Sequence, residues 1–308
     1  MEFKHIPVLF RESIDALDIK PNGLYADCTA GGGGHSNAIL DRLSENGRLV
    51  AIDRDPEAIE TLTKRFEGRE NVSIVNDNFF NIKSILSQFT DEGADGILAD
   101  LGVSSHQLDD AARGFSFHAD APLDMRMSMQ GMSAADAVNS LSQRELQDII
   151  YRYGEDKFAP RIAAGIVRAR AEKPIETTLE LAEIVKSSIP AAARREGGHP
   201  ARRTFQALRI YVNGELDGLD RAIVDMFDSL KVGGRLAIIT FHSLEDRAVK
   251  QTFASLCEGC ICPPEFPVCV CGRKSGRLPQ KAAAPSKAEL EENPRSRSAR
   301  LRVIEKIR

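Results

Sequence analysis

The stretch Asp27-Cys28-Thr29-Ala30-Gly31-Gly32-Gly33-Gly34-His35 decides the fold of this 308-residue chain. An apolar run precedes it and an amphipathic pattern follows it, so the sequence predicts a strand, a tight turn and the start of a helix. Glycine permits positive φ and lets the backbone lie against a ligand, and the N–H groups at a helix start point toward that ligand. The turn is therefore predicted to cradle a nucleotide-like molecule. The alternative is a flexible glycine loop.

A carboxylate follows at the distance that nucleotide-binding α/β units use. Asp53 ends the next apolar run, Arg48 to Ile52, where such units place the acid that binds ribose hydroxyls. The dinucleotide fingerprint requires a third glycine where this chain has Ser36. The pattern Asp-x-x-x-Gly-x-Gly, which begins at Asp27, fits the first motif of S-adenosyl-L-methionine (SAM) methyltransferases better. The predicted cofactor is therefore SAM.

Length and composition indicate a globular protein with one large domain and an insertion, or with two domains. The chain is 42% hydrophobic and 28% charged, and its formal net charge is −4. No apolar run reaches the length of a transmembrane helix, and the N-terminus lacks the basic region and apolar stretch of a signal peptide. We expect a cytoplasmic protein with no membrane partner. Its oligomeric state is unknown from the sequence.

Short apolar runs alternate with amphipathic stretches up to Gly102, which predicts a parallel sheet with crossover helices. Capping boxes at Ser142 and Thr177 then indicate helices without strands between them. The expected strands are 24–28, 48–52, 71–75, 96–100, 235–241 and 301–304, and the expected helices are 35–44, 56–66, 80–88, 142–152, 158–172, 177–189, 213–230 and 244–256. The last run is expected to close the sheet as an antiparallel strand.

These elements predict an α/β fold of the class I SAM-dependent methyltransferase type, with a Rossmann-like sheet and an inserted all-helical domain. Residues 1–104 form the first part of the SAM-binding domain, and residues 105–212 form a helical insertion for substrate recognition. Residues 213–308 form the second part, with a Cys-rich loop and a basic tail.

Two basic stretches interrupt the mildly acidic average. Residues 191–212 contain five arginines and one glutamate, and residues 293–308 contain six basic residues and one glutamate. Such clustering favours a directed contact with an anionic surface such as RNA phosphates. The candidate phosphate-binding residues are Arg194, Arg195, Arg202, Arg203 and Arg209. The alternative is that several of them pair with acids inside the insertion, for which Glu180, Glu183 and Asp217 are available.

Five of the six cysteines lie between residues 257 and 271. In a cytoplasmic protein, clustered thiols bind metal more often than they form disulfides. Tetrahedral zinc prefers two Cys-x-x-Cys arms, and only Cys257 and Cys260 have that spacing. Two alternatives stay open, a structural zinc ion and a loop of free thiols. The candidate zinc ligands are Cys257, Cys260, Cys269 and Cys271.

The stretch Asp100-Leu101-Gly102-Val103-Ser104-Ser105-His106-Gln107 is the richest in reactive side chains. Asp100 ends the fourth strand, so its carboxylate is expected at the carboxyl edge of the sheet, beside the glycine turn. Phe79 follows the third strand, where an aromatic ring can stack on adenine; alternatively it belongs to the core. His242 follows the fifth strand at the same edge.

Long motifs across nearly the whole chain resemble the MraW (RsmH) family of bacterial 16S rRNA cytidine N4-methyltransferases. They include Gly32-Gly33-Gly34-His35-Ser36, Pro122-Leu123-Asp124-Met125-Arg126-Met127, His199-Pro200-Ala201-Arg202-Arg203-Thr204-Phe205 and Asn293-Pro294-Arg295-Ser296-Arg297-Ser298. The resemblance implies SAM binding at Gly33, Gly34, His35, Asp53, Phe79, Asp100 and Gln107. It also implies that the acceptor is a cytidine in the decoding (P-site) region of 16S rRNA, within the small ribosomal subunit.

The implied reaction is an in-line displacement in which the cytosine amine attacks the sulfonium methyl group. Because the amine lone pair is conjugated into the ring, the site must orient the amine and accept a proton. Asp100 is the first candidate for the acceptor and His242 the second. Alternatively, Asp100 only holds the SAM amino group and His242 is structural. The rival functions are a non-catalytic SAM-binding ribosome-assembly factor and a methyltransferase for protein, DNA or a small molecule.

Overall fold

The computed structural model describes residues 7–192, 194, 198–259 and 275–308. The chain divides into two compact units, one of Met1–Gly102 with Gly218–Arg308 and one of Val103–Asp217. The second unit is therefore inserted in sequence between two sections of the first. Within the described ranges, no helix is both long and apolar enough to cross a membrane.

The first unit is built on a parallel sheet with an antiparallel edge. Its strands are β1 (Leu24–Asp27), β2 (Arg48–Asp53), β3 (Val72–Asn76), β4 (Ala94–Asp100), β5 (Leu230–Thr240), β6 (Gly276–Arg277) and β7 (Arg300–Lys306). Their order is β3-β2-β1-β4-β5-β7-β6, with β1 to β5 parallel and β7 antiparallel to both of its neighbours. The predicted Rossmann-like sheet and its antiparallel closing strand are confirmed.

The helices of the chain fall into three groups along the sequence. Before the insertion lie α1 (Phe10–Ala16), α2 (Gly34–Leu40), α3 (Pro56–Arg65) and α4 (Ile82–Leu86); within it lie α5 (Ser105–Asp109), α6 (Ala134–Ser140), α7 (Gln143–Gly154), α8 (Ala159–Glu172), α9 (Thr178–Ser188) and α10 (Arg202–Asn213); after it lie α11 (Leu219–Asp228), α12 (Ser243–Leu256) and α13 (Lys287–Glu292). Local sequence explains several starts. The Asp55 side chain accepts from the Glu57 N–H, and Pro56 occupies the first position of α3.

The central strands are apolar, as is typical of parallel sheets, whose two faces are usually covered by helices. Four consecutive residues of β2, Leu49 to Ile52, are buried. The expected start of β5 at residue 235 was wrong, since the strand begins at Leu230 and its register against β4 shifts between Ala94 and Gly96. Gly233 has φ of 83° in this irregular section, so the predicted glycine stop is a bulge inside the strand.

The second unit is helical around its own core of buried side chains, which include Leu146, Ile150 and Ile162. In its described residues, the β-bridges outside named strands amount to one pair, Pro122 with Thr177. The capping boxes predicted at Ser142 and Thr177 are both present. The single helix expected near 213–230 was wrong. The chain forms α10 up to Asn213 and α11 only from Leu219, because Gly214 and Gly218 adopt positive φ between them.

Asn213 fixes an irregular loop inside the second unit. Its side-chain amide donates to the Met125 carbonyl at 2.7 Å, and its side-chain oxygen accepts from the Met127 N–H at 2.8 Å. Met125 is fully buried with φ of 63°, a conformation that costs energy for a residue with a Cβ. The Asn213 clamp stabilises that conformation.

Candidate active site

The glycine turn between β1 and α2 has one packed side and one open side. Gly31 and Gly33 have φ of 50° and 77°, which favours glycine at both positions. A Cβ on Gly33 would lie 3.0 Å from Leu62, and a Cβ on Gly34 would lie 2.5 Å from Pro7. A Cβ on Gly32 would meet nothing within 4 Å. The turn therefore has the shape of a cradle that a ligand can approach at Gly31 and Gly32.

Asp53 at the tip of β2 holds this turn in place. Its Oδ2 accepts from the Gly31 N–H at 2.8 Å and its Oδ1 from the Asp55 N–H at 2.9 Å. Burial raises the pKa of the Asp53 carboxyl. Each carboxylate oxygen has a second lone-pair site, so the predicted ribose contact is compatible with these two hydrogen bonds.

Asp27 at the tip of β1 is fully buried. The Ser36 hydroxyl donates to its Oδ2 at 2.6 Å, and the Thr29 N–H donates to its Oδ1 at 3.3 Å. Burial raises the pKa of Asp27 to about 6. Ser36 occupies the position at which a dinucleotide-binding turn has glycine. Its hydroxyl donates a hydrogen bond to the buried Asp27 carboxylate, which explains the serine at this position.

Asp100 lies at the tip of β4, and one of its carboxylate oxygens is buried without a hydrogen bond to the described residues. Its N–H donates to the Thr29 hydroxyl at 2.6 Å, and its Oδ2 lies 3.9 Å from Nδ1 of the buried His35. Its Oδ1 is buried and has no hydrogen-bond partner among the described residues. Burial, followed by the nearby Asp27 and Glu245 carboxyls, raises the pKa of Asp100 well above its usual range. Such a group is suited to take up a proton or to bind a cation.

Thr29 is a positioning residue that sequence reasoning missed. It links the tips of β1 and β4 through the Asp100 N–H, although the two residues are 71 positions apart in the chain. Arg65 was missed too, and its guanidinium donates to the Gly32 carbonyl at 2.6 Å. No local pattern marks either contact, because both depend on which elements the fold brings together.

His242 caps α12. Its Nδ1 accepts from the Glu245 N–H at 3.3 Å, and its Nε2 lies 3.0 Å from Glu245 Oε1. The other oxygen of this buried carboxylate accepts from the N–H groups of Phe241 and His242. Nδ1 therefore has a structural role at the start of α12, whereas the buried Nε2 has no hydrogen bond to the described residues, so proton acceptance by His242 stays a prediction.

Phe79 begins a short 3-10 turn directly after β3, at the predicted edge. Its ring meets that of Phe80 edge to face at 4.9 Å between centroids, and both side chains are half-buried. The Asn78 side chain accepts from the Phe80 N–H and fixes the turn. Neither ring is fully enclosed in the core, so stacking on an adenine stays a prediction for Phe79.

Gln107 lies in the second unit and is buried there. Its side-chain oxygen accepts from the Ser104 N–H at 3.1 Å, and its own N–H donates to the Ser104 hydroxyl at 3.2 Å. The two residues form the capping box of α5. The predicted cofactor contact of Gln107 stays a prediction.

The candidate arginines of the second unit differ in their partners. Arg209 forms a bidentate pair with Glu215 at 2.9 and 2.8 Å, and both side chains are mostly buried. The expected alternative of internal pairing therefore applies to Arg209, although with an acid other than the three proposed. Arg203 is exposed and donates to the Glu155 carbonyl at 2.9 Å.

Two further arginines of this set are described. Arg194 donates to the Ile189 carbonyl at 2.8 Å, next to the end of α9. Arg202 is exposed, and its side chain has no hydrogen bond or ion pair with the described residues. Arg195 lies outside the described residues. Arg202 and Arg203 are thus the members of the set that the described structure leaves on the surface.

Three of the four predicted zinc ligands, Cys260, Cys269 and Cys271, lie outside the described residues. Cys257 follows the end of α12, and burial raises the pKa of its thiol. Both zinc alternatives therefore stay open. Cys28 is buried at the end of β1, and burial raises the pKa of its thiol so far that it is not a nucleophile at neutral pH.

Comparison with known proteins bears on what this site does. Residues 2–307 match the MraW methylase family. Two relatives from Clostridium botulinum, of the strains Kyoto / Type A2 and Loch Maree / Type A3, are each 55% identical over 310 aligned positions that cover 100% of both chains. Both carry the name ribosomal RNA small subunit methyltransferase H. A solved rRNA methylase from Streptococcus thermophilus is 14% identical, with a TM-score of 0.42 and coverage of 99% of each chain.

Proposed function

Because the chain belongs to the MraW methylase family, we propose that it transfers the methyl group of SAM to 16S rRNA of the small ribosomal subunit. The proposed acceptor is the N4 amine of a cytidine in the decoding (P-site) region. The name of the two Clostridium botulinum relatives supports rRNA as the substrate class. The observation that carries the chemistry is the buried Asp100 Oδ1, which has no hydrogen-bond partner among the described residues.

The residues at the carboxyl edge suit SAM in their chemistry. The open side of the glycine turn admits a ligand at Gly31 and Gly32, and Asp53 keeps lone pairs for ribose hydroxyls. Phe79 is half-buried where an adenine would need a stacking partner. When bound, SAM supplies an electrophilic methyl group on a cationic sulfonium, and the buried carboxyls of Asp27 and Asp100 stabilise positive charge nearby.

Asp100 is the proposed proton acceptor. As the C–N bond would form and the S–CH3 bond would break to leave the neutral thioether S-adenosyl-L-homocysteine, the N4 amine would become more acidic and its N–H proton would pass to a carboxylate oxygen of Asp100. The raised pKa of Asp100 makes this carboxylate a stronger base than an ordinary aspartate. Thr29 holds the end of β4 through the Asp100 N–H, so that the acceptor is oriented before the substrate arrives.

Methylation of purified small subunits tests the proposal. Subunits that lack the modification are incubated with SAM and the protein, and their 16S rRNA is digested and mapped by mass spectrometry. We expect one cytidine to gain a methyl group on N4. A SAM-binding assembly factor would leave the RNA mass unchanged, and a protein methyltransferase would place the label on a ribosomal protein. Methylation at C5 of the base would contradict the amine mechanism.

A further inference from the structure

Three aromatic rings form an exposed stack in the second unit. The Phe117 and His199 rings are nearly parallel, with centroids 4.4 Å apart and an interplanar angle of 13°. His118 packs on the same phenyl ring at 4.5 Å. Phe205 meets Phe117 edge to face at 5.3 Å and joins the stack to the core of the unit. Both histidines are exposed, so two rings of this stack lie at the surface.

The surroundings of the stack favour an anionic ligand that carries flat rings. The Arg202 N–H donates to the His199 carbonyl at 3.1 Å, so a turn ties the exposed Arg202 to the stack. Lys186 and Glu183, which form an ion pair at 3.0 Å, also face His199. Burial, and then His118, lowers the pKa of His199. The exposed ring is therefore neutral at neutral pH, and the exposed Arg202 follows it three residues later on the same turn.

We propose that Phe117, His118 and His199 form a stacking site for an unpaired base of the substrate RNA and that Arg202 contacts the adjoining phosphate. RNA is read mainly through bases that are splayed out of the helix and stacked on aromatic or histidine rings, while arginines hold the backbone. The site deepens the proposed function and rests on it, because it presumes an RNA substrate. It is a binding site and takes no part in the methyl transfer.

His199 also has a structural role that the experiment must separate from stacking. Its Nδ1 accepts from the Ala201 N–H at 3.2 Å, directly before the first turn of α10. His199→Asn removes the ring but keeps a side-chain acceptor for a hydrogen bond two residues on. His199→Phe keeps a ring but removes the acceptor. Each variant therefore keeps one of the two roles of His199 and removes the other.

The first experiment measures the dissociation constants of wild type and both variants for small ribosomal subunits. With a stacking site, His199→Asn weakens binding about fivefold to a hundredfold, the range typical of one lost base–aromatic contact, and His199→Phe stays within about twofold of wild type. If only the hydrogen bond from the Ala201 N–H to His199 Nδ1 matters, His199→Phe is the weaker binder and melts at a lower temperature. Equal affinities for all three proteins would also overturn the proposal.

The second experiment detects stacking directly, on a single-stranded oligoribonucleotide that contains 2-aminopurine. A base that leaves its neighbours in the strand to stack on the protein loses their quenching, so wild type and His199→Phe are expected to change the probe's fluorescence, and His199→Asn and His118→Ala to change it less. Unchanged probe fluorescence with wild type contradicts the site. Methyl transfer is followed separately: ring-dependent binding without methylation would refute the proposed function, whereas methylation with ring-independent binding would refute the stacking site alone.

Discussion

The carboxyl edge of the sheet and the arginine-bearing segment 194–209 hold their polar groups in different ways. At the edge, Asp53 is fixed by two backbone N–H groups and Asp27 by the hydroxyl of Ser36. In the arginine segment, Arg203 donates to the Glu155 carbonyl and Arg209 pairs with Glu215. Arg202 is exposed. Strand order alone places the first set, since carboxyl ends of parallel strands meet at one edge. Side-chain pairing places the second.

The largest effect is expected at Asp100, the proposed proton acceptor at the carboxyl edge of the sheet. Asp100→Asn keeps the shape of the side chain but cannot accept a proton, so the single-turnover rate of methyl transfer at saturating SAM should fall by about 10²- to 10⁴-fold. His242→Asn is the control, because asparagine preserves an N-cap acceptor for α12 and should leave the rate nearly unchanged. If saturating SAM restores the rate of Asp100→Asn, this residue only holds the cofactor.

Asp27 should make stability depend on pH. Its folded pKa of about 6 lies above the ordinary value of 3.8, so its contribution is complete below pH 3.8 and is lost as pH rises through about 6. A difference of this size corresponds to about 3 kcal/mol of unfolding free energy. Asp27→Asn should therefore gain stability relative to wild type between pH 4 and pH 8, as measured by urea unfolding.

Ser36→Ala sharpens this test. The Ser36 hydroxyl donates to Asp27 and favours its charged form, so its removal should raise the pKa of Asp27 further and extend the pH range over which stability falls. If the difference in unfolding free energy between wild type and Asp27→Asn does not change from pH 4 to pH 8, Asp27 is solvated, in disagreement with its burial.

The fold was predictable because its signals are local. The apolar strands, the glycine turn, and the capping boxes at Ser142 and Thr177 each lie within a few residues, and all are present. Helix α10 was missed because it lacks those signals. Its N-cap is Ala201 with no side-chain hydrogen bond, and its first turn has two arginines and no acid, the reverse of what the helix dipole favours.

The site was predictable only as far as strand order determines it. The positions of Asp53 and Asp100 at the edge follow from the ends of their strands. The link from Thr29 to Asp100 and the pairing of Arg209 with Glu215 depend on tertiary contacts. A charge count cannot distinguish Arg209, whose guanidinium is satisfied internally, from Arg202, which is exposed. Both residues look alike in the sequence, and packing separates them.

A smaller effect is expected at Asp53. Loss of a charge-assisted hydrogen bond costs roughly 1.5–3 kcal/mol, so Asp53→Ala should weaken SAM binding about tenfold or more in calorimetry. Asp53→Asn retains one acceptor for the Gly31 N–H and should lose less. Unchanged affinity in Asp53→Ala would remove the ribose contact and leave Asp53 as a support for the turn.

The smallest effect is expected in the arginine-bearing segment 194–209, where Arg202→Ala and Arg209→Ala should behave differently. Each lost phosphate contact lowers the slope of log K against log salt by roughly 0.7–0.9, so Arg202→Ala should flatten the salt dependence of small-subunit binding by that amount. Its SAM affinity and melting temperature should not change, because the side chain is exposed and has no ion pair with the described residues. Arg209→Ala should instead lower stability, because it leaves the mostly buried Glu215 uncompensated, and should keep the wild-type slope. If both variants flatten the slope equally, Arg209 contacts phosphate despite its pair with Glu215. If neither variant flattens the slope, other residues of the protein bind the phosphates.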